Sequence, residues 1–361
     1  MRIVLSNASS KWGGVHRITE LLAGGLERRG HDVLILCRPR SILEDRVRGR
    51  FGFSAVARGM DFSPYAIARI AGTLRRFRPQ VILALMDKDL RLTGPAARLL
   101  GVPVIARRAN DQPIGSGWYA RFVYNRLVAH HIANSESTKR TLLASAPWLT
   151  ESRVSVIYNG IDIETMALAQ PMFVPFPRDA VVVGFIGRLE TRKGVHDLLR
   201  AWAMVARSQP RAHLLIAGRG PLEAEVVEQT RRLERITFVG YQDDAARVIV
   251  RCDIVAVPSH WEGFGLVAAE ALALGKPVVA TNASSLPEIV RDQQEGLLVP
   301  PRSPAALAAA LQRLVADPEL RARLGASGRE RVQQYFQHER MLDQYEVLFS
   351  RFARSVTRDA S

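Results

Sequence analysis

The chain has 361 residues, of which 47% are hydrophobic and 24% charged, enough for two ordinary domains with separate cores. Its apolar runs, such as residues 180–186 and 254–257, are far shorter than the roughly 20 residues that a bilayer-spanning helix needs. Met1 and Arg2 lead directly into a strand-like run, without the apolar core of a secretory signal. We therefore expect a cytoplasmic protein with no spanning helix.

The net charge of +15 is concentrated in the first half of the chain. Residues 1–176 contain 25 basic and 13 acidic side chains, a net charge of +12. A positive field of this size favours anionic partners, which include nucleic acid, an anionic membrane surface and a phosphorylated substrate. A basic surface that binds nothing in particular is an equally open interpretation, so charge alone does not identify the partner.

Short β-branched runs alternate with amphipathic helical patterns, which is typical of parallel α/β sheets. In the first half the predicted strands are residues 2–5, 33–36, 81–85, 104–106 and 131–133, and in the second half 181–186, 214–217, 236–239, 254–257, 278–280 and 296–299. Gly30 is predicted to close the first helix in a left-handed conformation. Ser303-Pro304 and Asp317-Pro318 each predict a helix start, and Gly325 the end of the second of these helices.

The fold class that follows is α/β, with two Rossmann-like, doubly wound parallel-sheet domains facing a cleft. We predict an N-terminal domain over residues 1–165 and a proline-containing linker over 166–180. A second domain follows over 181–338, and a C-terminal helix in 339–361 packs on a domain surface or crosses back to the first domain. Ligands of doubly wound sheets bind at the carboxyl ends of the strands, so the chemistry is expected there.

The segment from Glu262 to Glu270, with sequence EGFGLVAAE, follows a predicted strand and opens a helix. Gly263 and Gly265 allow a ligand to approach the backbone, and the free amides at the helix N-terminus attract a phosphate. Glu270 can accept hydrogen bonds from two neighbouring hydroxyls, as an acidic residue does with a ribose. Two glutamates alone would fit an ordinary helix surface; the strand and the glycines favour a binding site.

A second segment, residues 184–194, again joins a strand to a helix and carries Arg188 and Lys193. Two cations beside a helix N-terminus can neutralise a diphosphate, which becomes more negative as it leaves. In the first half, the loop of residues 6–15 contains Gly13 and Gly14 and points backbone amides at the same edge. It lacks the glycine spacing of dinucleotide sites and of nucleotide hydrolases. The histidines lack metal-ligand spacing, so we expect no catalytic metal and no cofactor.

Together these segments resemble the retaining GT-B glycosyltransferases of family 4, a group that contains many bacterial lipopolysaccharide, capsule and phospholipid-glycosylating enzymes. The resemblance covers nearly the whole chain and is most specific at Glu262–Glu270. It also rests on shorter motifs: Gly13-Gly14, Gly30-His31-Asp32-Val33, Asn159-Gly160-Ile161-Asp162, Gly187-Arg188, Lys193-Gly194, Ala217-Gly218-Arg219-Gly220-Pro221 and Phe238-Val239-Gly240.

The resemblance implies a role for each matching residue. The first glutamate and the loop amides of this family contact the donor sugar, the second glutamate binds the ribose, and the basic pair binds the diphosphate. The resemblance therefore assigns the donor sugar to Glu262 with Gly263, Phe264, Gly265 and Leu266. It assigns the ribose to Glu270 and the diphosphate to Arg188 with Lys193. Val239 and Tyr241 lie where such enzymes hold the base, and Gly14 where the first domain meets the diphosphate.

One departure from the family pattern concerns catalysis. Many members have a histidine after the fourth strand of the first domain, whereas this chain has Arg107-Arg108-Ala109-Asn110-Asp111. Asn110 or Asp111 could contact the transferred sugar, and a carboxylate could orient the acceptor or receive its proton. With Glu262, these two residues are the catalytic candidates.

The resemblance implies metal-independent transfer with retention at the anomeric carbon, in which the departing diphosphate helps to deprotonate the acceptor. The predicted reaction moves a hexose or N-acetylhexosamine from a UDP- or GDP-sugar to a glycan or glycolipid acceptor of the cell envelope, at the cytoplasmic face of an anionic membrane. The alternatives are a GT-B sugar-nucleotide epimerase and a nucleic-acid-binding protein. Against the latter, we find no basic stripe interleaved with stacking aromatic residues.

Overall fold

The computed structural model describes residues 1–9, 13–57 and 59–358, with side chains up to residue 353. These residues form two compact units. The first contains residues 1–160 together with the C-terminal segment from His338, and the second contains Ile161–Gln337. Residues 166–180, predicted as a linker, lie in the second unit, where the Met172 amide donates to the carbonyl of Arg247 at 3.0 Å.

The described part of the first unit contains one sheet of seven parallel strands in the order β3-β2-β1-β4-β5-β6-β7. The strands are β1 (Arg2–Asn7), β2 (Asp32–Cys37), β3 (Gly52–Ser54), β4 (Val81–Ala84), β5 (Val104–Arg108), β6 (His130–Ala133) and β7 (Val154–Val156). The strand order reverses between β1 and β4, the usual point of ligand binding in doubly wound sheets. The five strands predicted for this half are confirmed, and β3 and β7, each of three residues, are additional.

Helices cover both faces of this sheet, as its buried apolar strands require. They are α1 (Gly14–Arg28), α2 (Ile42–Val47), α3 (Pro64–Phe77), α4 (Asp87–Leu99), α5 (Trp118–Arg121), continued by a π-helical turn (Phe122–Arg126), and α6 (Glu136–Ser145). A short 3-10 turn (Glu151–Arg153) precedes β7. Gly30 adopts a φ of 78° just after α1, which confirms the predicted left-handed end of that helix.

The C-terminal helix α15 (His338–Arg358) belongs to the first unit. Its inner face, including Met341, Leu342 and Tyr345, is buried. A methyl group added to Gly25 of α1 would lie 2.4 Å from Leu342 Cδ1, so α1 and α15 touch closely at this glycine. Gly160 lies as close to the start of α15, since a Cβ there would be 2.4 Å from the Cα of His338.

The described sheet of the second unit has six parallel strands in the order β10-β9-β8-β11-β12-β13. The strands are β8 (Val181–Ile186), β9 (Ala212–Ala217), β10 (Ile236–Phe238), β11 (Ile254–Val257), β12 (Val278–Thr281) and β13 (Gly296–Val299). The helices are α7 (Ile163–Ala167), α8 (Val195–Ser208), α9 (Glu223–Arg232), α10 (Ala245–Arg251), α11 (Leu266–Ala273), α12 (Leu286–Ile289), α13 (Pro304–Ala316) and α14 (Pro318–Tyr335). All six predicted strands are present, so both sheets of the predicted α/β fold are confirmed.

Gly325 does not end a helix, contrary to the prediction. It lies inside α14, which continues to Tyr335. A Cβ at Gly325 would be 2.1 Å from the carbonyl oxygen of Gly275, which follows α11. The glycine therefore permits close packing between α14 and the end of α11, and it does not serve as a helix cap.

The strand order of the second unit reverses between β8 and β11. The loops that follow these two strands are in direct contact, because a Cβ at Gly194 would lie only 1.9 Å from the carbonyl oxygen of Pro258. Gly194 also has a φ of 70° and immediately precedes α8. Only glycine satisfies both requirements at low cost, so this residue sets the spacing of the two loops.

Among the described residues, no helix is both long and apolar enough to span a membrane.

The contact at Gly194 leads to a stability prediction. Gly194→Ala should lower the free energy of unfolding of the second unit by about 2 kcal/mol or more, since the methyl group meets backbone and the φ is unfavourable. Gly72→Ala in α3 is the control, because a Cβ there has nothing within 4 Å. Urea denaturation of both variants tests this, and equal stability of the two would contradict it.

A second stability prediction concerns His131 in β6. Burial is the main reason that the pKa of this histidine falls to about 3, and its Nε2 lies 2.7 Å from the carbonyl of Tyr124. The unfolded chain binds a proton at this residue below pH 6.5 or so while the folded chain does not. The stability of the first unit should therefore fall as the pH decreases from about 6.5 toward 4. His131→Gln should reduce this dependence in urea titrations, while His130, whose pKa burial lowers to about 4, keeps part of it. An unchanged slope would show that His131 does not contribute.

Candidate functional site

The candidate site of the second unit lies at the carboxyl edge of its sheet, around the reversal between β8 and β11. The loop after β8 contains Arg188 and a short 3-10 turn (Thr191–Lys193). It is held to the loop after β9, since the Leu189 amide donates to the carbonyl of Arg219 at 3.0 Å. Gly218 has no room for a side chain, as its Cβ would be 1.8 Å from the carbonyl oxygen of Gly187. The backbone of this edge is therefore tightly fixed.

Glu262 is the centre of the hydrogen-bond network at this edge. It is only 7% exposed, and its Oε1 accepts hydrogen bonds from Lys193 Nζ and, at 2.8 Å, from Ser259 Oγ. Arg192 Nη1 lies 3.9 Å from the other carboxylate oxygen. Burial alone would raise the pKa of Glu262, but Lys193, Ser259 and Arg192 outweigh it and bring the pKa below its ordinary value. Glu262 is thus a carboxylate held in one position.

Neighbouring hydroxyls fix the loop that carries Glu262. Ser285 Oγ donates to the backbone carbonyl of Glu262 at 3.1 Å, and Thr281 Oγ1 donates to that of Ser259. His260 Nε2 lies 2.7 Å from Asp197 Oδ2 of α8. The loop is therefore anchored to β12, to the start of α12 and to α8.

The segment after Glu262 leads into α11. Phe264 is buried and its ring meets that of Phe336 edge to face, with centroids 5.6 Å apart. Gly265 has a φ of 84° and is the cap residue before Leu266, the first residue of α11. Glu270 lies on the second turn of this helix and is 2% exposed. The predicted helix start and the positions of both glutamates are therefore as the sequence indicated.

The cations of this edge differ in their surroundings. Lys193 is paired with Glu262, whereas the side chain of Arg188 is about half exposed and lies 3.5 Å from Glu190. Arg192 lies 2.5 Å from the same carboxylate of Glu190 and stacks over the ring of Trp261 at 4.5 Å. Three basic side chains thus converge near the N-terminus of α8, where anions are favoured.

The residues predicted to hold a base follow β10. The Val239 amide donates to the carbonyl of Ile216 at 3.0 Å, which keeps this loop beside β9. Tyr241 is partly exposed, its hydroxyl donates to Asp243 at 2.9 Å, and the guanidinium of Arg219 lies 5.7 Å from the centre of its ring. An exposed aromatic ring beside a cation is a suitable platform for a planar ligand.

The predicted residues of the first unit are arranged differently. Gly14 is the first residue of α1, and residues 10–12 of the predicted loop lie outside the described residues. Asp111 accepts a hydrogen bond from Ser137 Oγ at 2.6 Å, which holds it near the start of α6. Asn110 is exposed and donates to the side chain of Gln112 at 3.3 Å. The side chain of Asp111 is therefore held more firmly than that of Asn110.

Several residues that shape these sites were missed by the sequence analysis. Ser259, His260 and Arg192 adjoin predicted residues, and their positions directly after β11 or within the basic loop were the available signals. Asp89 was not detectable, because an acidic residue on a helix gives no sign of burial. It accepts from the amides of Ala8 and Met86, each at 2.8 Å, and burial raises its pKa to about 7.

Comparisons with known proteins are consistent along the chain. Residues 12–165 match the family described as Glycosyltransferase Family 4, and residues 170–331 match Glycosyl transferases group 1. The glycogen synthase of Mycobacterium tuberculosis (strain ATCC 25618 / H37Rv) is 30% identical over 365 residues, which cover 89% of this chain and 86% of that protein. The lipopolysaccharide core biosynthesis glycosyltransferase LpsD of Rhizobium meliloti (strain 1021) is 28% identical, with 94% and 95% covered.

A solved structure shows the same fold. The crystal structure of Anabaena HepE in complex with UDP and glucose superposes with a TM-score of 0.83 at 23% identity, covering 97% of this chain and 99% of that one. The two family matches together span nearly the whole chain, and the relative at 30% identity spans most of it. The chain therefore belongs to the GT-B glycosyltransferases of family 4.

Proposed function

We propose that this glycosyltransferase moves a hexose or N-acetylhexosamine from a UDP- or GDP-sugar to a glycan or glycolipid of the cell envelope. The transfer keeps the anomeric configuration of the donor sugar and needs no metal ion. The observation that carries the proposal is the buried Glu262 carboxylate, fixed by Lys193 and Ser259 beside the N-terminus of α11. Such an array offers one ligand a carboxylate, backbone amides and cations within a few residues.

Each donor group has a suitable partner at this edge. Arg188, Lys193 and the amides near Gly265 would bind the diphosphate, and Glu270 the ribose hydroxyls. Glu262 and the backbone of residues 263–266 would contact the sugar, and Val239 with Tyr241 the base. Fixed positive groups near the developing charge of the leaving diphosphate stabilise the transition state, a task that a metal ion performs in other enzymes.

The relatives support the choice of donor and acceptor. HepE was solved with UDP and glucose, and LpsD is named for lipopolysaccharide core biosynthesis. The net charge of +12 over residues 1–176 suits an acceptor presented at the anionic, cytoplasmic surface of a membrane. In the first unit, Asp111 would orient the acceptor hydroxyl, and the departing diphosphate would receive its proton.

The stereochemical outcome gives a direct test of this mechanism. With the UDP- or GDP-sugar that the protein consumes, proton NMR of the product should show the same anomeric configuration as the donor. Turnover should persist in EDTA, since fixed cations and amides neutralise the diphosphate. An inverted product or loss of activity in EDTA would contradict the mechanism, and a rearranged sugar nucleotide without acceptor would identify an epimerase.

The role of Glu270 leads to a binding prediction. Glu270→Ala should weaken the binding of UDP or GDP about tenfold to a hundredfold, because two hydrogen bonds between the ribose and a charged group are lost. The readout is the ligand-induced rise in melting temperature. Glu228→Ala is the control, since the side chain of Glu228 on α9 is 44% exposed and pairs with Arg232. Glu270→Gln keeps the shape of the side chain, and an unchanged shift in both Glu270 variants would refute the ribose role.

A further inference from the structure

A group of large apolar side chains is exposed on the first unit. Met60 is 84% exposed, Tyr65 72% and Trp118 82%, and Tyr119 and Phe122 are each 42% exposed. We call these five residues the aromatic patch. They come from two segments, the turn that leads into α3 together with the first turn of α3, and the helix formed by α5 and the π-helical turn.

Ring contacts join the two segments into one surface. The ring of Phe62 lies edge to face with that of Tyr119 at 6.0 Å between centroids, and 6.1 Å from that of Phe122. Tyr119 in turn meets Trp118 at 6.0 Å. The backbone of the first segment is fixed beside α4, since the Phe62 amide donates to the carbonyl of Arg91 at 3.2 Å. The patch is therefore held by packing.

The helix of residues 118–126 is apolar on both of its faces. Ala120, Val123 and Tyr124 are buried in the core of the first unit. Trp118, Tyr119 and Phe122 point away from that core, where a surface helix ordinarily carries polar residues. Packing within the first unit thus buries one face of the helix and leaves much of the outer face exposed, with Phe62 as the ring partner of Tyr119 and Phe122.

The two helices that carry most of the patch bear charges of one sign. The helices of residues 64–77 and 118–126 carry five arginines and no acidic residue: Arg69, Arg75, Arg76, Arg121 and Arg126. The guanidinium of Arg69 lies 5.8 Å from the centre of the Tyr65 ring. Asp61, beside the patch, is paired with Arg91 at 2.7 Å. An anionic surface complements this arrangement.

We propose that the aromatic patch is the docking surface of this enzyme for an anionic lipid bilayer, with the rings at headgroup level and the arginines on acidic headgroups. Tryptophan and tyrosine favour the membrane–water interface, and an apolar face flanked by arginine is typical of peripheral membrane binding. The proposal rests on the proposed function, since an acceptor held in a membrane requires the enzyme to reach that surface. Beyond that function, the docking proposal names the residues through which the enzyme would contact the membrane.

Sedimentation of the full chain with lipid vesicles tests the proposal. The protein should bind vesicles that contain phosphatidylglycerol and bind those of phosphatidylcholine alone much more weakly. The double variant Trp118→Ser, Phe122→Ser should reduce binding about tenfold or more, because two apolar contacts with the bilayer are lost. Phe173→Ser is the matched control, since Phe173 is 89% exposed on the second unit. Its binding should equal that of the unchanged protein.

Two further measurements distinguish failure of the docking proposal from failure of the proposed function. Arg121→Glu leaves the rings in place and should lower binding to phosphatidylglycerol vesicles alone, so it tests the proposal even if the double variant does not fold. The thermal shift with UDP or GDP requires no membrane. A protein that binds the nucleotide but no vesicle, or a double variant that binds vesicles as well as the control, overturns the docking surface and leaves the proposed function intact. Loss of nucleotide binding in the unchanged protein overturns the proposed function.

Discussion

The ion pair between Lys193 and Glu262 links the two loops on which the site of the second unit depends. A carboxylate as buried as Glu262 is stable only if it is neutralised and hydrogen bonded, and removal of one partner from such a pair typically costs about 3–5 kcal/mol. Lys193 comes from the loop after β8 and Glu262 from the loop after β11. The pair therefore ties together the loops on either side of the point where the strand order reverses. A ligand that enters there meets charges whose positions are already set.

Backbone packing imposes the same constraint independently of charge. Gly194 and Gly218 lie where a side chain would overlap a backbone carbonyl oxygen. The same holds for Gly220, where a Cβ would lie 2.3 Å from the carbonyl oxygen of Leu189. Three loops at the carboxyl edge of one sheet thus touch through their backbones. This arrangement brings the amides and cations of separate strands within reach of one ligand, and rigid elements hold such groups more accurately than mobile loops do.

Much of this could be predicted because the signals are local. Buried parallel strands give continuous β-branched runs, so the predicted strands of both sheets are present, and the sequence EGFG after a strand indicated the start of α11. The strands β3 and β7 were missed because three residues are too few to show a period. Gly325 was misinterpreted because a glycine that permits helix packing has the same sequence signal as one that ends a helix. The pairing of Lys193 with Glu262, 69 residues apart, depends on tertiary structure and had no local signal.

The absence of a histidine after β5 is best understood from the groups that replace it. Arg108 is buried and pairs with Asp87 at 3.1 Å, and Arg107 reaches the side chain of Asn159, so both guanidinium groups are engaged within the first unit. Asp111 is the nearest carboxylate along the chain, and Ser137 already donates to it. A carboxylate that is already held in place agrees with the role proposed for Asp111, which is to orient the acceptor hydroxyl while the departing diphosphate receives its proton.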